Sequence, residues 1–363
     1  MAYQFGQVYD SSLAAEPTRR EFWSSDRSGV LSFVRIGRHA KVGGGLLAPP
    51  ESRTRLLEEF LEHCRHERWT ASFFTITPTD VDLFRAAGCE VAKWGEDPIV
   101  ELADWSCRGK EFEWLRRQEN FCRRHGLVCR EWDPATATEA ERRATFAEIE
   151  SVSQAWLAAK PQAKPLGFFN GEPTPESLLQ RRIFLVCAGE NPEHESSRFE
   201  TERAESPRLE AFVAASAFDA GRQFGIDLYR QRPDAMRGAV PFAMLQALRT
   251  LQAEEVESVS LCMVATLGCA VVGERATLLN RLLDWSGRCL NPLFDLPGMH
   301  HYKSRFRPRF EPRYVCLWPR ASLMNSLTNF YLAGITNFSA RKLVGRAWRQ
   351  WRNKQRRTLV PFE

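Results

Sequence analysis

Two passages of this chain set out the same succession of patterns, and that repetition constrains the fold more than any single motif. The first runs "SGVLSFVRIG" (28–37), "HAKVGGGLLAPP" (39–50), a helix-like 52–67, the β-rich "TASFFTI" (70–76) and "TDVDLFRAAGCEVAKWG" (79–95). The second runs "RRIFLVCAG" (181–189), "EAFVAASAFDAG" (210–221), "RQFGIDLYR" (222–230) and the loop "QRPDAMRGA" (231–239). The helix "VPFAMLQALRTLQAEE" and the strand "VESVSLCMV" follow, at 240–255 and 256–264. Each passage reads as strands, a Gly/Pro loop, a helix and a further strand. The fold class expected is therefore α/β (α+β): two tandem units with mixed sheets flanked by helices. The expected boundaries are 1–128 for the first unit, a polar link at 129–145, the second unit at 146–320 and a helical basic tail at 321–363.

Apolar content of 44% over 363 residues supports packed cores rather than disorder. The ten cysteines include no Cys-x-x-Cys pair, and no N-terminal secretory pattern is present. A reduced chain with buried thiols is the simplest reading. His63, Cys64 and His66 cluster in a helical pattern, but no second ligand pair of standard spacing accompanies them, so no metal is expected. The acidic stretch "ENPEHESSRFETERAESP" (190–207) reads as a solvated hairpin extension.

Net charge is +5, yet residues 341–357, "RKLVGRAWRQWRNKQRR", hold eight Lys/Arg and no acid. The remainder carries 42 basic and 45 acidic residues, so the basic character belongs to the tail. There Val344, Ala347, Trp348 and Trp351 recur at helical spacing, with Arg349 and Arg352 on the other face. That pattern suits a helix lying on an anionic membrane surface, a helix docked on the domain by its Trp face, or an RNA contact. No stretch reads as a transmembrane span; 321–340 is interrupted by Asn325, Asn329 and Asn337.

Candidate chemistry gathers in the second passage. "QRPDAMRGA" leaves a strand and enters a helix at Gly238, with Arg230, Arg232 and Arg237 around it. A helix start of this kind turns backbone N–H groups toward an anion. Within "DLYR", a strand places Asp227 and Arg230 on opposite faces, unless the strand end frays and lets both reach a cleft. In "GMHHYKSRFRPRFEPRYV" (298–315), aromatics fall on even positions (Tyr302, Phe306, Phe310) and cations on odd ones (Lys303, Arg305, Arg307, Arg309). A strand there would face its cations to a groove, with Arg313 continuing the positive wall. Adjacent His300 and His301 would then point apart, which excludes a shared metal. An RNA surface and a phosphate cleft both remain open at this level.

Seven pieces then occur in one order: "WGEDPIVEL" (94–102), "GKEFEWLRRQEN" (109–120), "VSQAWLAAKP" (152–161), "LGFFNGE" (166–172), "IDLYRQRPDAMRGAVPFAML" (226–245), "VESVSLCMVATLG" (256–268) and "HHYKSRFRPRFEPRYV" (300–315). Together they resemble the C-terminal catalytic region of the phosphatidylglycerol lysyltransferase (aminoacyl-phosphatidylglycerol synthase) family. The resemblance implies two tandem GNAT-type acyltransferase folds. It implies transfer of an aminoacyl group from aminoacyl-tRNA to a phosphatidylglycerol hydroxyl at the cytosolic membrane face, with no metal or redox cofactor. The family's Asp-x-x-Arg motif falls on Asp227 and Arg230, and its lysine on Lys303. These would shape the aminoacyl and lipid-phosphate site.

Two departures stand out. No multi-helix membrane domain precedes the pattern, so the basic tail would supply peripheral attachment. Cys262 and Thr266 stand where the family usually has Gly and Pro. The rival readings are an acyl-CoA-dependent GNAT N-acyltransferase, a relative using another lipid hydroxyl, and a non-catalytic membrane-binding protein.

Overall fold

A computed structural model describes residues 1–160, 168–169, 171–188, 208–265, 269, 283 and 295–332. The strands of this region join one mixed sheet, in which neighbours in space are not always neighbours in sequence. In the first half, α1 (Ala2–Phe5) precedes β1 (Arg20–Trp23), β2 (Val30–Ile36), β3 (His39–Leu47), α2 (Arg53–His66), β4 (Thr70–Ile76), α3 (Val81–Ala86) and β5 (Glu90–Glu101). The second half holds α4 (Glu113–Arg124), β6 (Leu127–Trp132), α5 (Glu139–Ala158), α6 (Pro175–Leu178), β7 (Arg182–Ala188), β8 (Leu209–Phe218) and β9 (Gln223–Gln231). It continues with α7 (Ala239–Ala253), β10 (Ser258–Ser260), β11 (Val264–Ala265), α8 (Leu296–Ser304), β12 (Arg309–Trp318) and α9 (Leu323–Leu332).

The repeated plan is real at this level. An antiparallel pair, β2–β3, is followed by α2 and by β4, which runs parallel to β3. Likewise β8–β9 is followed by α7 and by β10, parallel to β9. A parallel neighbour requires a crossover, and the helix supplies it. The mixed α/β class read from the sequence holds. The closing strand does not stay with its own half, however. β12 enters between β4 and β5, pairing antiparallel with both.

Periodicity explains the layers. On β7, Phe184 and Val186 join the core beneath α4 and α7, while Ile183 and Leu185 join the core beneath α5. Both faces are therefore covered, and the strand reads as the continuous apolar run "IFLV". α5 begins with a complete capping box between Thr138 and Glu141, which satisfies backbone donors at the helix start. In the first half, α2 lays Leu57, Phe60, Leu61 and Cys64 onto Val42 and Phe73. His63 packs against Phe22 and Trp69 and Cys64 joins the core, while His66 of the same cluster is exposed.

Candidate active site

The site begins with a fault in β9. Its pairing with β8 shifts between Ala214↔Leu228 and Ser216↔Gly225, so Ile226 and Asp227 together oppose one residue of β8. Such a bulge reverses which face later side chains take. Before it, Phe224 and Ile226 face the core of α4 and α7; after it, Leu228 joins Ile149 and Val152 of α5. Arg230, two residues on, consequently reaches the α5 side. Without the bulge it would point under α7.

Arg230 is 7% exposed and its guanidinium lies 5.1 Å from the Trp156 ring centroid. It lines a cavity of about 520 Å³ with Phe146, Glu150, Gln154 and Leu157 of α5 and with Glu172 and Pro173. Burial pulls the Arg230 pKa down from its ordinary value, and Glu150 and Glu172 push it back up. Gln154 Nε2 donates to Glu150 Oε1 at 2.7 Å, steering that carboxylate. Among the described residues, the cavity presents the carboxylates of Glu150 and Glu172 and the Arg230 guanidinium, with Phe146, Leu157 and Pro173 as apolar lining. Such a lining can hold an ammonium group beside a carbonyl or phosphate oxygen.

Asp227 does not reach the cavity. Its carboxylate is enclosed, accepting Arg181 Nη1 at 2.7 Å on both oxygens and the Gly171 backbone N–H. Burial raises its pKa, and Arg181 opposes the rise. Arg181 fits because Gly171 has no side chain: a Cβ there would stand 2.2 Å from Arg181 Nη2. Asp227 and Arg181 therefore anchor the turn carrying Glu172. Asp227 is thus paired with Arg181 rather than set beside Arg230 in a cleft, and β9 runs on to Gln231 without fraying.

The stretch 298–315 departs from the strand expected of it. Residues 296–304 form α8, and only Arg309 onward is strand. Asp295 caps α8 through the Gly298 N–H, and Pro297 suits its first turn. Helical spacing sends Lys303 inward to 2% exposure, where Nζ donates to the Cys262 carbonyl at 2.6 Å. Burial lowers the Lys303 pKa. Arg305 lies over Trp114 and against His301, Arg307 donates to the Glu111 carbonyl, and Arg309 pairs with Glu101. Arg313 is no wall cation; it is buried between Asp97 and Glu311. Arg232 ties Leu209 to Glu148, and Arg237 stacks on Phe121. Gly238 starts α7 in the left-handed region (φ 93°), but Gln118 and Cys122 of α4 pack against it. The helix start expected to cradle an anion is covered there.

A family model, "Phosphatidylglycerol lysyltransferase, C-terminal", matches residues 4–317. The chain belongs to that family. Phosphatidylglycerol lysyltransferase of Bacillus subtilis (strain 168) is 23% identical over 337 residues, covering 91% of this chain and 34% of the relative. That of Staphylococcus aureus (strain MRSA252) is 23% identical over 326 residues, covering 90% and 36%. The chain thus spans about a third of the length of these curated relatives. The structure of L-PGS from Bacillus licheniformis superposes with a TM-score of 0.71 at 21% identity, covering 92% of this chain and 93% of that one.

Of the residues singled out from the family's motifs, only Arg230 faces the cavity. Trp156 and Glu172 lie inside the family pieces "VSQAWLAAKP" and "LGFFNGE", which was the signal available for them. Glu150 and Arg181 carried none. Trp348, Arg349, Trp351, Arg352 and Thr266 lie outside the described residues. Among the described residues, no helix is long and apolar enough to cross a membrane.

The first half has its own counterpart of the β9 fault. β2–β3 pairing shifts between Val30↔Leu47 and Ser32↔Gly43, and Gly44 takes φ 85° there. The gap is filled by the chain itself. Ser11 Oγ donates to the Gly44 carbonyl at 2.9 Å, and Thr75 Oγ1 donates to both Asp10 oxygens at 2.9 and 3.0 Å. Burial raises the Asp10 pKa to about 6, against the opposing charge of Arg19. The folded chain then holds this proton more tightly than the unfolded one. Its contribution is full below about pH 4 and is lost, by about 3 kcal/mol, as pH rises through about 6. Asp10→Asn is expected to flatten that slope, read as a smaller change in urea midpoint between pH 4 and 7.

Proposed function

We propose that this chain moves an aminoacyl group from aminoacyl-tRNA to a hydroxyl of phosphatidylglycerol or a related lipid at the cytosolic membrane face. The observation that carries this reading is the cavity in which Arg230 stands with Glu150 and Glu172. An aminoacyl ester differs from other acyl donors in its ammonium group, which two carboxylates suit. Arg230 suits the ester carbonyl or a neighbouring phosphate. The relatives' names supply the lipid.

The chemistry asks little beyond placement. The lipid hydroxyl oxygen bonds to the ester carbonyl carbon, and the carbonyl–ribose oxygen bond breaks. The hydroxyl proton ends on the released ribose oxygen, so charges and atoms balance. Because the ester is already activated, positioning and charge stabilisation supply the acceleration. The basic tail, 341–357, adds attraction for an anionic surface at about 1 kcal/mol per Lys or Arg near it.

Expression in a host that makes phosphatidylglycerol, followed by lipid mass spectrometry, tests the proposal. The expected result is a new species heavier than phosphatidylglycerol by one amino-acid residue. Unchanged lipids together with turnover of acyl-CoA would replace it with the N-acyltransferase reading.

A further inference from the structure

Arg230 reaches the cavity only because β9 is bulged at Ile226–Asp227, so whatever holds the bulge governs the site. The bulge releases the Ile226 carbonyl to Cys262, whose Sγ lies 2.9 Å from it as donor. Cys262 itself sits in the left-handed region at φ 66°, which a residue with a Cβ adopts only under constraint. Two anchors supply the constraint. Its N–H donates to Ser260 Oγ at 3.0 Å, and the Ser260 hydroxyl donates to Asp97 Oδ1 at 2.5 Å. Arg313 Nη2 then donates to Asp97 Oδ2 at 3.0 Å. On the other side the Cys262 carbonyl accepts Lys303 Nζ. Asp97 and Lys303 are buried, and neither lines the cavity.

We infer that Lys303 and the Asp97–Ser260 pair are positioning residues that clamp the Cys262 turn, fix the β9 bulge and so aim Arg230 into the cavity. Lys303 thereby acts on a backbone carbonyl and touches no substrate phosphate. The catalytic part of this inference rests on the aminoacyl-transfer reading above; the structural part stands without it.

Hydrogen exchange over 226–231 and steady-state kinetics in both substrates test it, on full-length Lys303→Met, Ser260→Ala, Cys262→Ala and Cys262→Ser. Expected are at least tenfold faster exchange in this segment and a tenfold or greater fall in kcat for Lys303→Met and Cys262→Ala. KM should stay within about twofold, and Cys262→Ser, which keeps a donor, should restore both readouts. Lys303→Met combined with Ser260→Ala should cost little more than Lys303→Met alone, since both release one turn. A raised KM for lipid or tRNA with unchanged exchange would overturn the inference and make Lys303 a phosphate ligand. If Lys303→Met does not fold, Ser260→Ala decides by the same readouts. If the wild-type chain makes no aminoacylated lipid, the exchange arm still decides the clamp, and only the reaction reading falls.

Discussion

Under the proposed aminoacyl transfer, Arg230→Ala is expected to lower the rate at least a hundredfold while leaving the protein folded. Among the described residues that line the cavity Arg230 is the cation, and the nearby carboxylates of Glu150 and Glu172 favour its charged form. Removing one preorganised donor from a site where charge develops costs roughly 2.7–4 kcal/mol of transition-state stabilisation, two to three decades in rate. Arg230→Lys should recover only part of this, because an ammonium neither forks toward two oxygens nor stacks on Trp156 as a planar guanidinium does. Initial rates of lipid aminoacylation at saturating substrates check both variants. Activity of Arg230→Ala within about threefold of wild type would remove Arg230, and the cavity with it, from the reaction.

The largest expected loss of stability belongs to Asp227→Ala. That substitution strands the Arg181 guanidinium, whose side chain is 3% exposed, without its carboxylate. Breaking a buried pair from one side costs about 3–5 kcal/mol, a sizeable share of the ~5–15 kcal/mol that holds a domain folded. Removing both partners, as Asp227→Leu with Arg181→Met, should recover much of it, since no uncompensated charge then remains. Urea denaturation of the single and double variants measures the difference. The double variant would still lose activity, because Arg181 packs against Gly171 and so supports the turn bearing Glu172. A double variant as unstable as Asp227→Ala would show that the pair matters by shape rather than by charge.

Much of the architecture was legible. The order of strand, loop, helix and strand is dictated by alternation and by helical spacing, and it recurs twice as read. The 298–315 stretch misled because its alternation of aromatics and cations has period two, while the proline at 297 and the cap at Asp295 start a helix there. Proximity in sequence misled at "DLYR" as well. Asp227 and Arg230 are three residues apart on one strand, yet each finds its own partner, Asp227 on Arg181 and Arg230 over Trp156. A bulge leaves no compositional mark. Glu150 was invisible for a similar reason: on a surface helix rich in glutamate, nothing local distinguishes the carboxylate that borders a cavity.

The placement of β12 bears on how the chain comes to be folded at all. Trp318 pairs with Ala71, 247 positions away, and until that strand is synthesised β4 and β5 lack their shared neighbour. Within the first half, β4 is therefore an open edge and β5 has no strand partner, since β5 pairs with β10, β11 and β12 of the second half. Closing so distant a pairing is slow, and open strand edges of this kind recruit other chains. The sheet of the N-terminal half is thus completed only by strands from the C-terminal one.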